Sequence, residues 1–312
     1  MSAPNTQPIT RRVVGSNVWL AHGEGPDPVA ALQARELRYE ILESEEAVGR
    51  AQLEELQRAA REKDGDVVII LLGGRGAQAM YRILGALAEG TEADALLARL
   101  HVFTQDALAP MRMDNGLSFV RDFERLLGAS FFSKVKSFTP MRTDTSDLEG
   151  GLARYLERLE SLGGIDIFFL GLGPEPGEAS HLCYIKPGSG ATARDVAGVI
   201  PISQSILEHH ITKFKVGGSR VTAEDEAECR AATHILTLGP AAILGARRIV
   251  QSIVDASTAP AKRASYRRVL ETKIEDDVAR RAAQMDKNPG LWLRLHPNVR
   301  SLVLPDVFQA QD

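Results

Sequence analysis

The sequence predicts an α/β protein, a three-layer α/β/α domain built on a mainly parallel, Rossmann-like sheet. Three observations carry this. DVVIILLGG holds an unbroken apolar run over residues 67–72, rich in β-branched side chains and closed by glycine, as a strand covered on both faces requires. Strand-like and helix-like segments then alternate along the chain. With 312 residues, 44% of them hydrophobic and 25% charged, the chain is long enough to bury a large core.

Each element has a local reason. Residues 1–38 carry Pro4, Pro8, Pro26 and Pro28 with Gly15, Gly23 and Gly25, which interrupt any period, so this stretch reads as an N-terminal arm, disordered or packed on a neighbouring subunit. The domain proper then spans 39–312. SEEAVGRAQLEELQRAAREK, from Ser44, has an acidic first turn, helical apolar spacing and a basic end. After the strand at 67–72, residues 78–88 read as a helix.

Further strands are expected at 100–104, 165–173, 233–239, 248–254 and 301–304. Helices are expected in LSFVRDFERLL, DLEGGLARYLERLESL, GPAAILGARR and across 262–285. No internal repeat and no linker divides the chain. In such sheets ligands gather beyond the carboxyl ends of the strands, which directs attention to GGRGAQAMY, TQDALAP, GPEPGEASHLCYIKPGS, APAKRA and LHPN.

Composition narrows the partners. The net charge of −4 gives no electrostatic reason to expect nucleic acid or a membrane surface, and leaves room for a local basic pocket that takes a small anion. Cys183 and Cys229 are too few for a disulfide framework and match no zinc spacing, which favours a reducing compartment. The first residues lack an apolar signal core, and no stretch has the roughly 20 apolar residues of a membrane span, so a cytoplasmic protein is expected. The adjacent His209 and His210 are not spaced for one metal, and neither a metal nor an organic cofactor is expected.

In chain order, GGRGAQAMYRIL, HVFTQDAL, LSFVRDFERLLGASFF, YLERLESLGGIDIFFLGLGP, HLCYIKPGS, ILTLGPAAIL, APAKRA and WLRLHPN resemble the glucosamine-6-phosphate isomerase/deaminase and 6-phosphogluconolactonase superfamily over roughly residues 39–307. The resemblance implies an enzyme acting on a phosphorylated or otherwise anionic sugar by general acid–base chemistry. It implies Asp106 as the base that moves a proton between C1 and C2, and His181 in ring opening or proton relay. Gly73, Gly74, Arg75 and Gly76 match the phosphate loop, with Arg75 and Gly76 in place of its Ser/Thr hydroxyls, and Arg220 in GGSR and Lys262 in APAKRA match its phosphate-binding cations. Self-association also follows from the resemblance.

One position departs. Lys186 stands where the deaminases keep the acid that orients the histidine, and the second acid of that relay has Glu175 or Glu178 as substitutes. A cation there lowers the proton affinity of an imidazole, and Lys186 either binds an anionic substrate group or is a solvated side chain of the loop. The departure keeps two other readings open: a lactonase of the 6-phosphogluconolactonase type, and a catalytically inactive sugar-phosphate-binding regulator.

Overall fold

The apolar run at 67–71 lies inside a seven-stranded sheet in which every neighbouring pair is parallel. The computed structural model describes residues 8–23 and 27–309. Its strands are β1 (Ile9–Val14), β2 (Asn17–His22), β3 (Tyr39–Ile41), β4 (Val67–Leu71), β5 (Leu100–Thr104), β6 (Asp106–Ala109), β7 (Ser137–Thr139), β8 (Ile167–Leu170), β9 (Leu172–Pro174), β10 (Ser180–Leu182), β11 (Asp195–Pro201), β12 (His234–Leu238), β13 (Ile249–Ile253) and β14 (Val299–Val303). The α-helices are α1 (Glu45–Glu62), α2 (Gln78–Glu89), α3 (Asp94–Leu97), α4 (Phe119–Lys134), α5 (Leu148–Ser161), α6 (Gln204–Val216), α7 (Ala223–Arg230), α8 (Pro240–Gly245), α9 (Ala261–Glu271) and α10 (Val278–Lys287).

The parallel sheet runs β3-β14-β13-β8-β4-β5-β7. Its two faces feed separate cores, as the period of two along a strand demands. Val68 and Ile70 of β4 join one core with Tyr155 of α5 and Ile243 of α8. Val67, Ile69 and Leu71 join the other with Leu56 of α1, Leu84 of α2 and Phe123 of α4. The three-layer α/β/α expectation is met.

A second sheet, β1-β2-β11-β12-β6, is antiparallel throughout. It changes two expectations. The segment expected as an arm forms, over residues 9–22, a hairpin turned at Gly15 (φ +58°) and paired through β2 to β11 of the same chain. Trp19 is fully buried there and donates from its indole N–H to the Ser189 carbonyl at 3.2 Å, so burial of this ring holds the hairpin down. The strand expected at 233–239 is real as β12, but it belongs to this second sheet.

Two further segments are cut. The long strand expected over 165–173 breaks at Gly171, where a Cβ would lie 3.1 Å from the Ser252 carbonyl oxygen. The helix expected over 262–285 divides into α9 and α10. Gln105 alone separates β5 from β6, so the chain leaves the parallel sheet and enters the antiparallel one in a single residue. That step sets Asp106 at the seam of the two sheets. Among the described residues no helix is long and apolar enough to cross a membrane.

Candidate active site

The seam opens into a cavity of about 440 Å³. Gly73, Gly74, Arg75 and Gly76 form one wall, and Asp106, His181 and Lys262 reach the same space. Seven of the residues expected at a site are thus brought together.

The glycine loop follows β4 and leads into α2. Gly74 has φ +85°, a conformation that favours glycine, and a Cβ at Gly73 would lie 2.4 Å from the Phe119 ring. The Gly76 carbonyl is held by Gln52 Nε2 at 3.1 Å and Ser252 Oγ at 2.8 Å. Engaging this carbonyl with α1 and β13 leaves the loop without a free acceptor there to repel an anion. Arg75 also lines the cavity, but its guanidinium forms an ion pair with Glu45, whose carboxylate lies on the first turn of α1.

Two lysines supply positive charge. The Lys262 Nζ lies 2.5 Å from Asp255 Oδ1, and both residues are buried. Burial alone would push the Asp255 carboxyl up, yet Lys262, with Lys213 and His209, holds it below its ordinary value. Lys213 donates to Thr258 Oγ1 at 2.7 Å and lines the cavity with His209 one helical turn away. Burial lowers the Lys213 ammonium, helped by Lys262 and Arg75. Burial and the same lysines push His209 down to about 4, so it is neutral at physiological pH.

Lys213 and Asp255 were not singled out from sequence, and His209 was weighed there only as a metal ligand. For the two residues of α6 a signal is present in SILEHHITKFK, where His209 and Lys213 stand four apart on one face of the helix. The adjacent His210 is buried and its Nε2 meets the Leu117 carbonyl at 2.7 Å. Among the described residues no group of three or more His, Cys, Asp and Glu side chains is placed to hold a metal ion.

Arg220 does not join the cluster. It is exposed and absent from the cavity wall, because Gly217 and Gly218 (φ +90°) end α6 and carry GGSR onto the outside. Lys213, on the wall-facing side of α6, supplies cationic charge from this segment.

Asp106 is 1% exposed, and burial raises its carboxyl from 3.8 to about 7, against the lowering effect of a hydrogen bond from Gln105. Gln105 Nε2 donates to Asp106 Oδ2, while Asp106 Oδ1 is buried with no hydrogen-bond partner among the described residues. The base thus has one oxygen pinned and one free.

His181 sits on β10 with its ring over Gly173, where a Cβ would fall 2.0 Å from Nε2. Its Nδ1 accepts from the backbone N–H of Tyr184 at 3.1 Å. Cys183 and Tyr184 both have positive φ, 49° and 55°, and this costly pair of left-handed residues turns that N–H back toward the ring. With Nδ1 an acceptor, the neutral imidazole carries its proton on Nε2. Burial first, then Lys262, His209 and Lys186, hold its pKa well below the ordinary 6.5.

The relay substitutes fall outside the wall. Lys186 is half-buried, donates to the Pro201 carbonyl and does not line the cavity. Glu175 is also half-buried, raised to about 7 by burial with Lys186 opposing. Glu178 points outward to Arg268, at 3.3 Å.

The family model for glucosamine-6-phosphate isomerases/6-phosphogluconolactonase matches residues 43–287. A glucosamine-6-phosphate deaminase of Bacteroides thetaiotaomicron is 36% identical over 69 residues, 21% of this chain and 24% of the relative. The match therefore spans about a quarter of that enzyme. Among solved structures, a monomeric glucosamine-6-phosphate deaminase superposes with a TM-score of 0.66 at 20% identity, over 87% of this chain and 98% of its own. The 6-phosphogluconolactonase of Trypanosoma brucei gives 0.62 at 17% identity, over 88% and 98%. That of Thermotoga maritima gives 0.56 at 16%, over 85% and 98%. The structural likenesses show a shared fold, and the family model covers most of the chain: it belongs to the glucosamine-6-phosphate isomerase/6-phosphogluconolactonase family.

Proposed function

We propose that this chain is an isomerase/deaminase-type enzyme that moves a proton between C1 and C2 of an anionic, phosphorylated sugar. The observation that carries the reading is Asp106: a buried carboxyl with one oxygen free, raised to about 7, in the same cavity as Lys213, Lys262 and the glycine loop. A base with its pKa near the working pH suits proton transfer to and from carbon.

In this reading the phosphate lies against Lys213, Lys262 and the loop amides. Asp106 takes the C2 proton of the open-chain aldehyde, the C1 oxygen gathers the charge and takes up the proton that the C2 hydroxyl or ammonium gives up, and Asp106 returns its own proton to C1. His181, neutral with its proton on Nε2, donates a hydrogen bond to that oxygen and acts as an electrophile. When C2 carries an amine, the product of the transfer is a C2 imine, which water hydrolyses to the ketose and ammonia. Arg75 joins the phosphate site when Glu45 releases it.

The tautomer also bears on the lactonase alternative. Lactone hydrolysis with His181 as base needs a free lone pair on Nε2, and the Tyr184 N–H engages the ring's lone pair at Nδ1 instead. The proton-transfer reading uses His181 as it stands.

The test is incubation in D2O with glucosamine 6-phosphate, glucose 6-phosphate and fructose 6-phosphate, following carbon-bound deuterium and ammonia. Exchange with at least one sugar is expected, lowered by roughly 10²- to 10⁴-fold in Asp106→Asn. No exchange together with hydrolysis of 6-phosphogluconolactone would make the chain a lactonase. Silence in both assays with thermal stabilisation by these sugars would make it a binding protein.

A further inference from the structure

Gln105 occupies the one-residue step between β5 and β6 and is held there from both sides. Its N–H donates to the Leu71 carbonyl and its own carbonyl accepts from the Leu238 N–H, each at 3.1 Å. The side chain is 3% exposed and lines the cavity. Its Nε2 donates to Asp106 Oδ2. When Asp106 is ionised, the state in which it acts as a base, its carboxylate only accepts, so the amide turns its N–H end to Asp106.

The other end is then determined. Gln105 Oε1 is buried and has no hydrogen-bond partner among the described residues, as is Asp106 Oδ1 beside it. Two acceptors on neighbouring residues of the cavity lining are therefore left without donors. Native interiors rarely leave such groups unpaired, and a group that a ligand pairs imposes its penalty whenever the ligand lacks the donor.

Resting on the proton-transfer reading above, we propose that Gln105 Oε1 accepts a hydrogen bond from the C2 substituent of the substrate, so that the pocket selects phosphosugars bearing a hydroxyl or ammonium at C2 and rejects 2-deoxy sugars. Asp106 faces the hydrogen on C2, and Gln105, tethered to Asp106, reaches the heteroatom on the same carbon. Gln105 is a specificity-determining residue in this arrangement, acting on substrate choice separately from the base.

The test compares glucose 6-phosphate with 2-deoxyglucose 6-phosphate, which differ only in the C2 hydroxyl, by calorimetric dissociation constants with wild type and Gln105→Met. Wild type is expected to bind the hydroxyl sugar roughly 5- to 100-fold more tightly. In Gln105→Met the ratio should fall to within about twofold, through weaker binding of glucose 6-phosphate while the deoxy sugar is little changed. A wild-type ratio near one overturns the assignment without any variant, and means that the acceptors meet water in the complex. A ratio that persists in Gln105→Met overturns it too, since another group then senses C2. Selectivity that collapses in the variant, in a protein that exchanges no deuterium, upholds Gln105 and sinks the catalytic reading. Exchange without selectivity does the reverse.

Discussion

The backbone N–H of Tyr184 points at Nδ1 of His181 across 3.1 Å, and the two rings stack with centroids 4.2 Å apart and planes 14° apart. Together these contacts fix the rotation of the imidazole and its tautomer. The second effect is chemical, because it makes Nε2 a donor for as long as the ring stays neutral.

His181 is accordingly expected to remain the neutral Nε2–H tautomer from pH 9 down to pH 6, with no titration in the range where catalysis is measured. Burial and the charges of Lys262 and Lys186 oppose its protonation. The check is the ¹⁵N chemical shifts of the ring through a pH series. Protonation above pH 6, or a proton on Nδ1, would remove the electrophile.

Asp106 should set the acidic limb of the rate. A base must be ionised to take a proton, so kcat/KM rises with pH through about 7 and levels off above it. Stability moves the other way. The folded-state value lies above the ordinary 3.8, so the folded protein binds this proton more tightly than the unfolded chain, and stability held below pH 4 is lost as pH rises through 7. Three pH units correspond to roughly 4 kcal/mol. Asp106→Asn should therefore lower activity by the same roughly 10²- to 10⁴-fold and raise Tm, more at pH 8 than at pH 5. A variant less stable than wild type at pH 8 would contradict the buried-charge account.

What was readable in advance divides by how far its cause lies along the chain. Asp106 and Lys262 follow or begin elements whose patterns are local, an apolar run before one and a helix after the other, so their motifs pointed to the cavity. Arg220 did not follow, since its position depends on the length of α6 and on the turn at Gly218, features that GGSR alone does not encode. The hairpin at 9–22 was hidden for a related reason. Its partner, β11, begins at Asp195, and a pairing over such a separation leaves no periodic trace in a six-residue strand flanked by proline and glycine. Lys213 was missed because the apolar face of α6 is interrupted by the polar groups that line the cavity.

The Arg75–Glu45 ion pair restrains the anion site. Both side chains are partly exposed, at 43% and 29%, so the pair is screened by water and salt. Glu45→Gln should release the guanidinium and tighten glucose 6-phosphate binding by roughly two- to fivefold at low salt, with the gain shrinking as ionic strength rises. Calorimetry at two salt concentrations decides it. Unchanged or weaker binding would mean that Arg75 contributes nothing to the anion.

Lys262 has two roles, and a double variant separates them. Its ammonium neutralises the buried Asp255 carboxylate at 2.5 Å and also faces the cavity. Lys262→Met alone leaves that carboxylate unpaired, and breaking a buried pair from one side costs about 3–5 kcal/mol. Any loss of phosphosugar binding in that variant is therefore mixed with loss of stability. Adding Asp255→Asn removes the stranded charge and should restore most of the lost Tm, while binding of glucose 6-phosphate stays weakened at least tenfold because the cation is still missing. If the double variant regains binding along with stability, Lys262 serves the fold and Lys213 carries the anion without it.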